Sequence, residues 1–316
     1  MSTTLHKPAA RYRPPAPLGG RGAGPRRSRS SLLALLFLAP ALVLLGAFVA
    51  WPMLSAFRLS FTDSSGFGRE SWVGFENYAT VFTDPAVLRA LGNTGLYATL
   101  FTPTAVIVAL ALALALNHPR LPLRGAFRTA LFLPFVVSLA VAAFAWSYLL
   151  DPQIGLLNYW LRGAGLQLGN VLQDPALAMP TVALVAVWKN FGFYMVIFLA
   201  GLQEIPASLR EAAVVDGANA WQRFVHITLP MLSNTFAFVL IIALIAALQA
   251  FDQIYVMTGG GPFGSTQTIV MEIYESGFRE LELGFASALS YVLLAITLLL
   301  SLVQFVFFGR REQDTQ

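Results

Sequence analysis

Long apolar stretches separated by short polar ones dominate this chain. Six of them reach the roughly 20 mostly apolar residues that a helix needs to cross a bilayer core. They run at about 32–51, 96–116, 130–150, 180–202, 231–256 and 284–308. The stretch from Ala105 to Leu116 is apolar without interruption. A membrane barrel strand would alternate in character over about 10 residues instead. The pattern therefore predicts an all-α integral membrane protein with six transmembrane helices. The first stretch follows an Arg-rich leader, as the core of a signal peptide would. It is longer than such a core, and the residues immediately before Trp51, Phe48-Val49-Ala50, form no A-x-A cleavage pattern. It is read as a retained span.

Composition narrows the class further. Of 316 residues, 57% are hydrophobic and 11% charged. A soluble domain carries about 25% charged residues, and this chain has too few to cover such a surface. Soluble enzymes and disordered proteins are excluded. There is no cysteine, so disulfides, thiolate metal sites and a cysteine nucleophile are excluded too. His6, His118 and His226 are scattered along the chain and make no His-rich metal site. No catalytic residue and no metal ligand is assigned.

The net charge of +4 conceals an asymmetry. Six spans put both termini on one side of the membrane. Fourteen of the 20 Lys and Arg residues fall on that side, five on the other, and Lys189 lies inside a span. Basic residues accumulate in cytoplasmic loops, so both termini are expected in the cytoplasm. The leader, residues 1–31, is rich in Pro, Gly, Arg and Ser and is expected to be disordered. It also has the charge to touch anionic lipid. The six-span domain is expected over 32–309 and a short cytoplasmic tail over 310–316. No G-x-x-x-x-G-K-[ST] occurs anywhere. Gly259-Gly260-Gly261-Pro262 lacks the lysine of a phosphate cradle and reads as a tight turn where the fifth span ends. The chain does not hydrolyse nucleotide on its own.

The segment 203–230, between the fourth and fifth spans, reads as two short helices across the inner membrane face. Pro206 suits a first helical turn. Gly217 allows a left-handed helix end, and Pro230 is tolerated at the start of the next span. Leu209, Val215, Trp221, Phe224 and Ile227 give an apolar side. Glu211, Asp216 and Arg223 bring charge, and Ala212 and Ala213 permit close approach. Such a segment meets a partner protein or lies on lipid. The residue pattern alone leaves both open.

Within the spans, Lys189 is the basic residue, and an ionisable group at membrane depth is a functional candidate. Trp188, Asn190, Phe193 and Tyr194 surround it in sequence. On the fifth span Gln249 and Asp252 are the polar candidates, with Gln253 and Tyr255 nearby. Together they offer hydrogen bonds and flat apolar faces. A structural role for Lys189, snorkelling or pairing with Asp252, stays open. Trp51, Trp146, Tyr148, Tyr159 and Trp160 read as interfacial belt residues.

Glu211-Ala212-Ala213, then Asp216-Gly217, then Ile227-x-Leu229-Pro230 resembles the coupling loop of ABC importer permeases. Other stretches resemble the carbohydrate branch of that family. They are Pro40 with Pro52, Gly74-Phe75-Glu76-Asn77-Tyr78, Asn93-Thr94, Leu133-Pro134, Gly155-Leu156-Leu157-Asn158 and Gly259-Gly260-Gly261-Pro262. The resemblance covers roughly 32–309 and is to the MalF/UgpA-type permease half. It lacks the two extra N-terminal spans and large outer domain of the maltose permease.

The resemblance implies that Glu211, Ala212, Ala213, Asp216, Gly217, Leu229 and Pro230 engage a cytoplasmic ATPase. It implies that Lys189, Asn190 and Phe193 face the 246–252 stretch along the solute path. It implies four kinds of partner: a second permease subunit, two ATPase copies, an extracytoplasmic solute-binding protein and the bilayer of the cell membrane. Nucleic acid is not among them. ATP and Mg would be bound by the partners, and no cofactor is expected in this chain. The expected cargo is a sugar or related solute. The alternatives are glycerol-3-phosphate or another phosphorylated polyol, or an ion-gradient-driven secondary carrier. Such carriers usually show broken helices and several intramembrane acids, whereas here Lys189 and Asp252 are the ionisable residues placed in a span.

Overall fold

The computed structural model describes residues 27–66, 68, 70–118, 121–166 and 169–313. Most of the leader, the last residues of the tail, Arg69 and Arg120 lie outside them. Among the described residues the regular elements are all helical, and one isolated antiparallel bridge joins Thr62 to Trp72.

Helix α1 (Arg27–Leu45) starts inside the stretch expected to be leader. It runs through a π-turn, Gly46–Ala50, into α2 (Trp51–Leu59). Pro52 accounts for the wide turn. Its ring would clash with the carbonyl four residues back in a regular helix. The Trp51 N–H reaches back five residues to the Gly46 carbonyl instead.

Two helices follow, α3 (Glu76–Thr83) and α4 (Pro85–Leu116). Asp84 caps α4 by accepting from the Ala86 N–H at 2.7 Å, and Pro85 occupies the first turn. This capped start lies well before residue 96, where the apolar stretch begins. Helix length and bilayer-depth length are separate quantities here.

Helices α5 (Arg124–Val136) and α6 (Leu139–Leu149) meet at 94°. Val137 and Ser138 between them have ψ of 140° and 137°, so the third predicted span is bent, not straight. Helices α7 (Leu156–Gly163) and α8 (Ala178–Glu204) come next.

The following segment holds α9 (Ala207–Val215), α10 (Ala220–Arg223), a π-turn over Phe224–Thr228 and α11 (Leu229–Met231). This π-turn also ends two residues before a proline, Pro230. The chain then bends by 70° into α12 (Ser233–Leu248). The stretch read as one span over 231–256 is not one helix. It breaks at 249–251, and Asp252 opens a separate helix, α13 (Asp252–Met257). Then come α14 (Ile269–Tyr274), a third π-turn over Glu275–Arg279 and α15 (Leu283–Gln313).

Among the described residues, four helical stretches are long and apolar enough to cross a membrane: Leu36–Leu59, Pro85–Leu116, Ala178–Glu204 and Leu283–Phe308. Counting each bent pair as one crossing raises the number to six.

The core is built on α4 and α8, which pack against each other along their length. Ala105, Ala109 and Ala113 of α4 are fully buried. Spaced by four, they form a small-residue stripe that lets helix backbones come close. Met179, Val182, Ala186, Met195 and Phe198 of α8 fill the same core. Gly192 takes this logic furthest. A Cβ there would run into the Leu131 carbonyl and lie 2.9 Å from Phe132 Cα. In lipid, helices gain nothing by hiding apolar surface, so such contacts carry the packing. Over half of the most apolar window of α8 is buried within the protein, and very little of that of α15.

Candidate functional site

The segment after α8 is anchored at both ends. Ile205 and Leu232 are buried, and Gly201 lies against Thr235 and Leu232. Between these anchors, α9 ends in a Schellman arrangement. The Ala218 N–H donates to the Ala213 carbonyl at 2.9 Å and the Gly217 N–H to the Val214 carbonyl at 3.1 Å. Gly217 has φ +79°, where a side chain is strained. Asp216 occupies the last helical corner, its N–H bound to the Ala212 carbonyl at 2.9 Å. A capping box then starts α10. The Asn219 side chain accepts from the Gln222 N–H at 2.9 Å, and the Asn219 N–H donates to Gln222 Oε1 at 2.8 Å.

These two local devices fix the angle between the helices without help from the core. The result is an exposed surface. Glu211 and Ala212 point outward and Ala213 is half-buried. Val215 is 87% and Trp221 70% exposed, with Val214 and Leu209 also open. Leu229 and Pro230 are exposed on α11. No other described helix packs extensively on α9.

The second candidate region is where α12 breaks. A cavity of about 160 Å³ lies there, lined by Asn190 of α8, by Gln249 and Asp252 at the break, and by Tyr97, Phe101 and Gln253 among others. Asn190, Gln249 and Asp252, chosen from sequence, thus converge. Asn190 is oriented by donating from Nδ2 to the Ala186 carbonyl at 2.8 Å.

Lys189 and Phe193 do not line this cavity. Both turn to Phe135 of α5. The Lys189 ammonium stands 4.6 Å from the centre of the Phe135 ring, and Phe193 stacks on that ring at 4.6 Å. A cation over an aromatic face gains about 0.5–2 kcal/mol, which offsets part of the cost of its place in a span. Lys189 and Asp252 do not form a direct ion pair.

Sequence reading missed Tyr97 and Phe101, because it sought the path on the fourth and fifth spans alone. The available signal was Tyr97 itself, a hydroxyl-bearing ring near the start of the second predicted span.

The break is braced from a distance. Thr268 donates to the Ala250 carbonyl at 3.1 Å, on the cavity wall. Thr94 accepts the Ile269 N–H at 2.9 Å. Asn93 Nδ2 donates to the carbonyls of Gly264 and Gln267, each at 2.8 Å. The loop so held includes the glycine run, which forms the expected tight turn. The Gly261 N–H closes on the Thr258 carbonyl at 3.0 Å, and Gly259 and Gly260 between them have φ of 58° and 86°. The Asn93-Thr94 motif is therefore a clamp on the 258–268 loop.

A bundle of apolar helices, a capped and exposed helical elbow and a polar cavity at a helix break define a transport subunit. Residues 85–313 match the binding-protein-dependent transport system inner membrane component, and the chain belongs to that family. It is a multi-pass membrane protein, the permease part of an ABC transporter, and not itself the ATPase.

The chain is 36% identical over 291 residues to the probable ABC transporter permease protein YurN of Bacillus subtilis, covering 91% of this chain and 99% of that one. It is 38% identical over 277 residues to the sulfoquinovosyl glycerol transport system permease protein SmoG of Agrobacterium fabrum, covering 86% and 89%. It is 37% identical over 286 residues to the sn-glycerol-3-phosphate transport system permease protein UgpA of Brucella abortus, covering 89% and 96%. Its fold is similar to a chain of the bacterial alginate ABC transporter, solved in complex with an alginate pentasaccharide-bound periplasmic protein. That TM-score is 0.79 at 26% identity, covering 89% of this chain and 95% of the other.

Proposed function

We propose that this chain is one of two permease halves of an ATP-driven importer that moves a sugar or related solute delivered by an extracytoplasmic binding protein. Each bent helix pair makes one crossing, giving six spans over 32–309, with the basic leader and the tail in the cytoplasm. The basic asymmetry of the loops supports this orientation.

The observation that carries the reading is the elbow at 207–231. It exposes Val215 and Trp221 on helices whose mutual angle is fixed by their own caps. A rigid apolar surface without a covering helix suits a partner protein better than solvent. Glu211, Ala212 and Ala213 would lie against an ATPase subunit. Asp216 and Gly217 would set the bend, and Leu229 and Pro230 would join the elbow to the next span. ATP and Mg would be held by two copies of that ATPase. Their closure moves the elbow, and the spans exchange between inward-open and outward-open states biased by a distant ligand. Lys189, Asn190, Phe193, Gln249 and Asp252 belong to the solute path in this reading. The alginate, sulfoquinovosyl glycerol and glycerol-3-phosphate named for the similar proteins all bear hydroxyl groups, which supports a polyhydroxylated cargo.

Uptake by membrane vesicles containing the assembled complex tests the proposal. Uptake should require ATP and survive collapse of the ion gradient. Uptake that persists without ATP and stops with the gradient would assign the chain to the secondary carriers.

A further inference from the structure

We infer that the groove between α6 and α8, beside α7, holds one acyl chain of a bound phospholipid. In the orientation proposed above this lipid belongs to the outer leaflet; the site itself does not depend on the importer reading.

The groove encloses about 330 Å³. Thr181, Leu184, Val185 and Trp188 of α8 form one wall. Offsets of three, four and seven place them on one face of the helix, over about 10 Å of its length. Trp146 of α6, Leu150, Leu157 of α7 and Val171 complete the lining. Trp146 and Trp188 meet edge to face at 5.4 Å and tie α6 to α8. Apart from the Thr181 hydroxyl and the two indole N–H groups, the lining is apolar, and it bears no charge.

The lining decides the occupant. A hydrated solute would give up its hydrogen bonds here without replacement. Water needs 2–4 polar partners and finds too few. The volume is about ten times the roughly 30 Å³ share of one water, a molecule close in size to a methylene. Spread along those 10 Å, it amounts to a channel roughly 6 Å wide, narrower than a partner helix at about 10–12 Å. A single hydrocarbon chain fits that shape.

The groove is also continuous with the surface that meets the bilayer. The chain belongs to a family of membrane components, and Leu184 on the groove wall is 64% exposed. At the α7 end, Leu157 turns into the groove while Tyr159 and Trp160 stay exposed, as rings at headgroup level do. Asn158 and Arg162 both donate to the Pro152 carbonyl, at 3.0 and 2.8 Å, and pin α7 to the turn after α6. Arg162 is the one cation of α7, which has no acid. A lipid with its chain in the groove brings its phosphate to the level of α7, where a guanidinium complements it.

Photolabelling of the complete importer tests the inference. The complex is reconstituted in nanodiscs of phosphatidylethanolamine and phosphatidylglycerol, the latter partly replaced by phosphatidylglycerol with a diazirine in one acyl chain. It is extracted into detergent and gel-filtered before irradiation, so that only retained lipid can label. Adducts should concentrate at 146–150 and 181–188, at least tenfold above the exposed α15 surface at Leu298, Leu299 and Leu302. Thr181→Phe fills the groove and should lower its labelling at least tenfold, whereas Thr181→Val keeps the size and should leave it unchanged. The wild-type chain has no cysteine, so Leu184→Cys can carry a benzophenone, which should crosslink to lipid.

Equal labelling of α15 and the groove, or none at either, overturns the inference, and this wild-type comparison stands whether or not a variant folds. Labelling that survives intact in a folded Thr181→Phe complex overturns it too. A crosslink from position 184 to the second permease subunit would show that protein covers the groove, with the same consequence. Uptake that ignores ATP would sink the importer reading separately, because lipid retention is read without ATP.

Discussion

The side-chain amide of Asn93 donates to the carbonyl of Gly264 at 2.8 Å, across 171 positions of sequence. With its second bond, to the Gln267 carbonyl, it fixes the loop that braces the α12–α13 break. Replacing Asn93 by Ala removes both bonds and leaves the Gln267 carbonyl unmatched, while the Gly264 carbonyl keeps the Gln267 N–H at 3.3 Å; the cost is about 1–3 kcal/mol. Hydrogen exchange should accelerate over 258–268 and stay unchanged in the α4–α8 core. Uniform acceleration through the whole chain would show that Asn93 supports the fold and not this loop.

Gly217 is held at φ +79° with open space around the missing Cβ. Substitution there acts through backbone strain, not through a clash. Gly217→Val should cost about 1–2 kcal/mol locally and misdirect α10 relative to α9. Membrane insertion should be normal while the amount of ATPase co-purifying with the complex drops severalfold. Full retention of the ATPase would contradict the proposed elbow contact.

Gly192 presents the opposite situation. The backbone of Leu131 and Phe132 occupies the space a side chain needs, and backbone cannot rotate away. Gly192→Val should destabilise by at least about 1–3 kcal/mol and lower the melting temperature of the purified protein. Gly95→Ala is the matched control. Gly95 is also helical, but nothing lies within 4 Å of its added Cβ. That change should be neutral or raise stability by up to about 1 kcal/mol.

Asp63 gives the 62–72 turn a pH dependence. Ser71 donates to its carboxylate from both the hydroxyl and the backbone N–H, the latter at 2.6 Å. These bonds hold the carboxyl below the usual carboxylate range. The folded value lies below the unfolded one, about 3.9, so the contribution is complete above that pH. It fades as pH falls through the lower, folded value. Protection factors over 62–73 should drop below about pH 4, and Asp63→Asn should flatten the profile. An unchanged profile in the variant would assign the transition to another group.

The membrane class, the approximate places of the spans and the elbow at 203–230 were all legible before any coordinates. Each depends on local chemistry. Transfer into lipid adds up residue by residue over a window. A glycine followed by Asn219 and Gln222 encodes a helix end and a capping box within six positions. The bends in the third and fifth spans were not legible, for the same reason. Apolar content does not register a bend. Val137 and Ser138 are apolar and small polar residues in an apolar run, yet they adopt extended backbone between two helices. Asp252 was placed near the end of a continuous span and instead begins a new helix.

The cavity depended on partners that no local pattern encodes. Lys189 and Asn190 are neighbours in sequence, but one faces Phe135 and the other the cavity. Successive residues of a helix point about 100° apart, so their roles follow from which helices surround them. The sequence by itself determined that this chain belongs in a bilayer, which way its charge distribution favours insertion, and where it presents a rigid elbow. The tertiary structure alone decided where α12 breaks, that Thr94 and Thr268 brace the break, and that Tyr97 meets Gln253. The physical reason is range: hydropathy and capping act within a turn or two, whereas these hydrogen bonds pair groups brought together only when the helices pack.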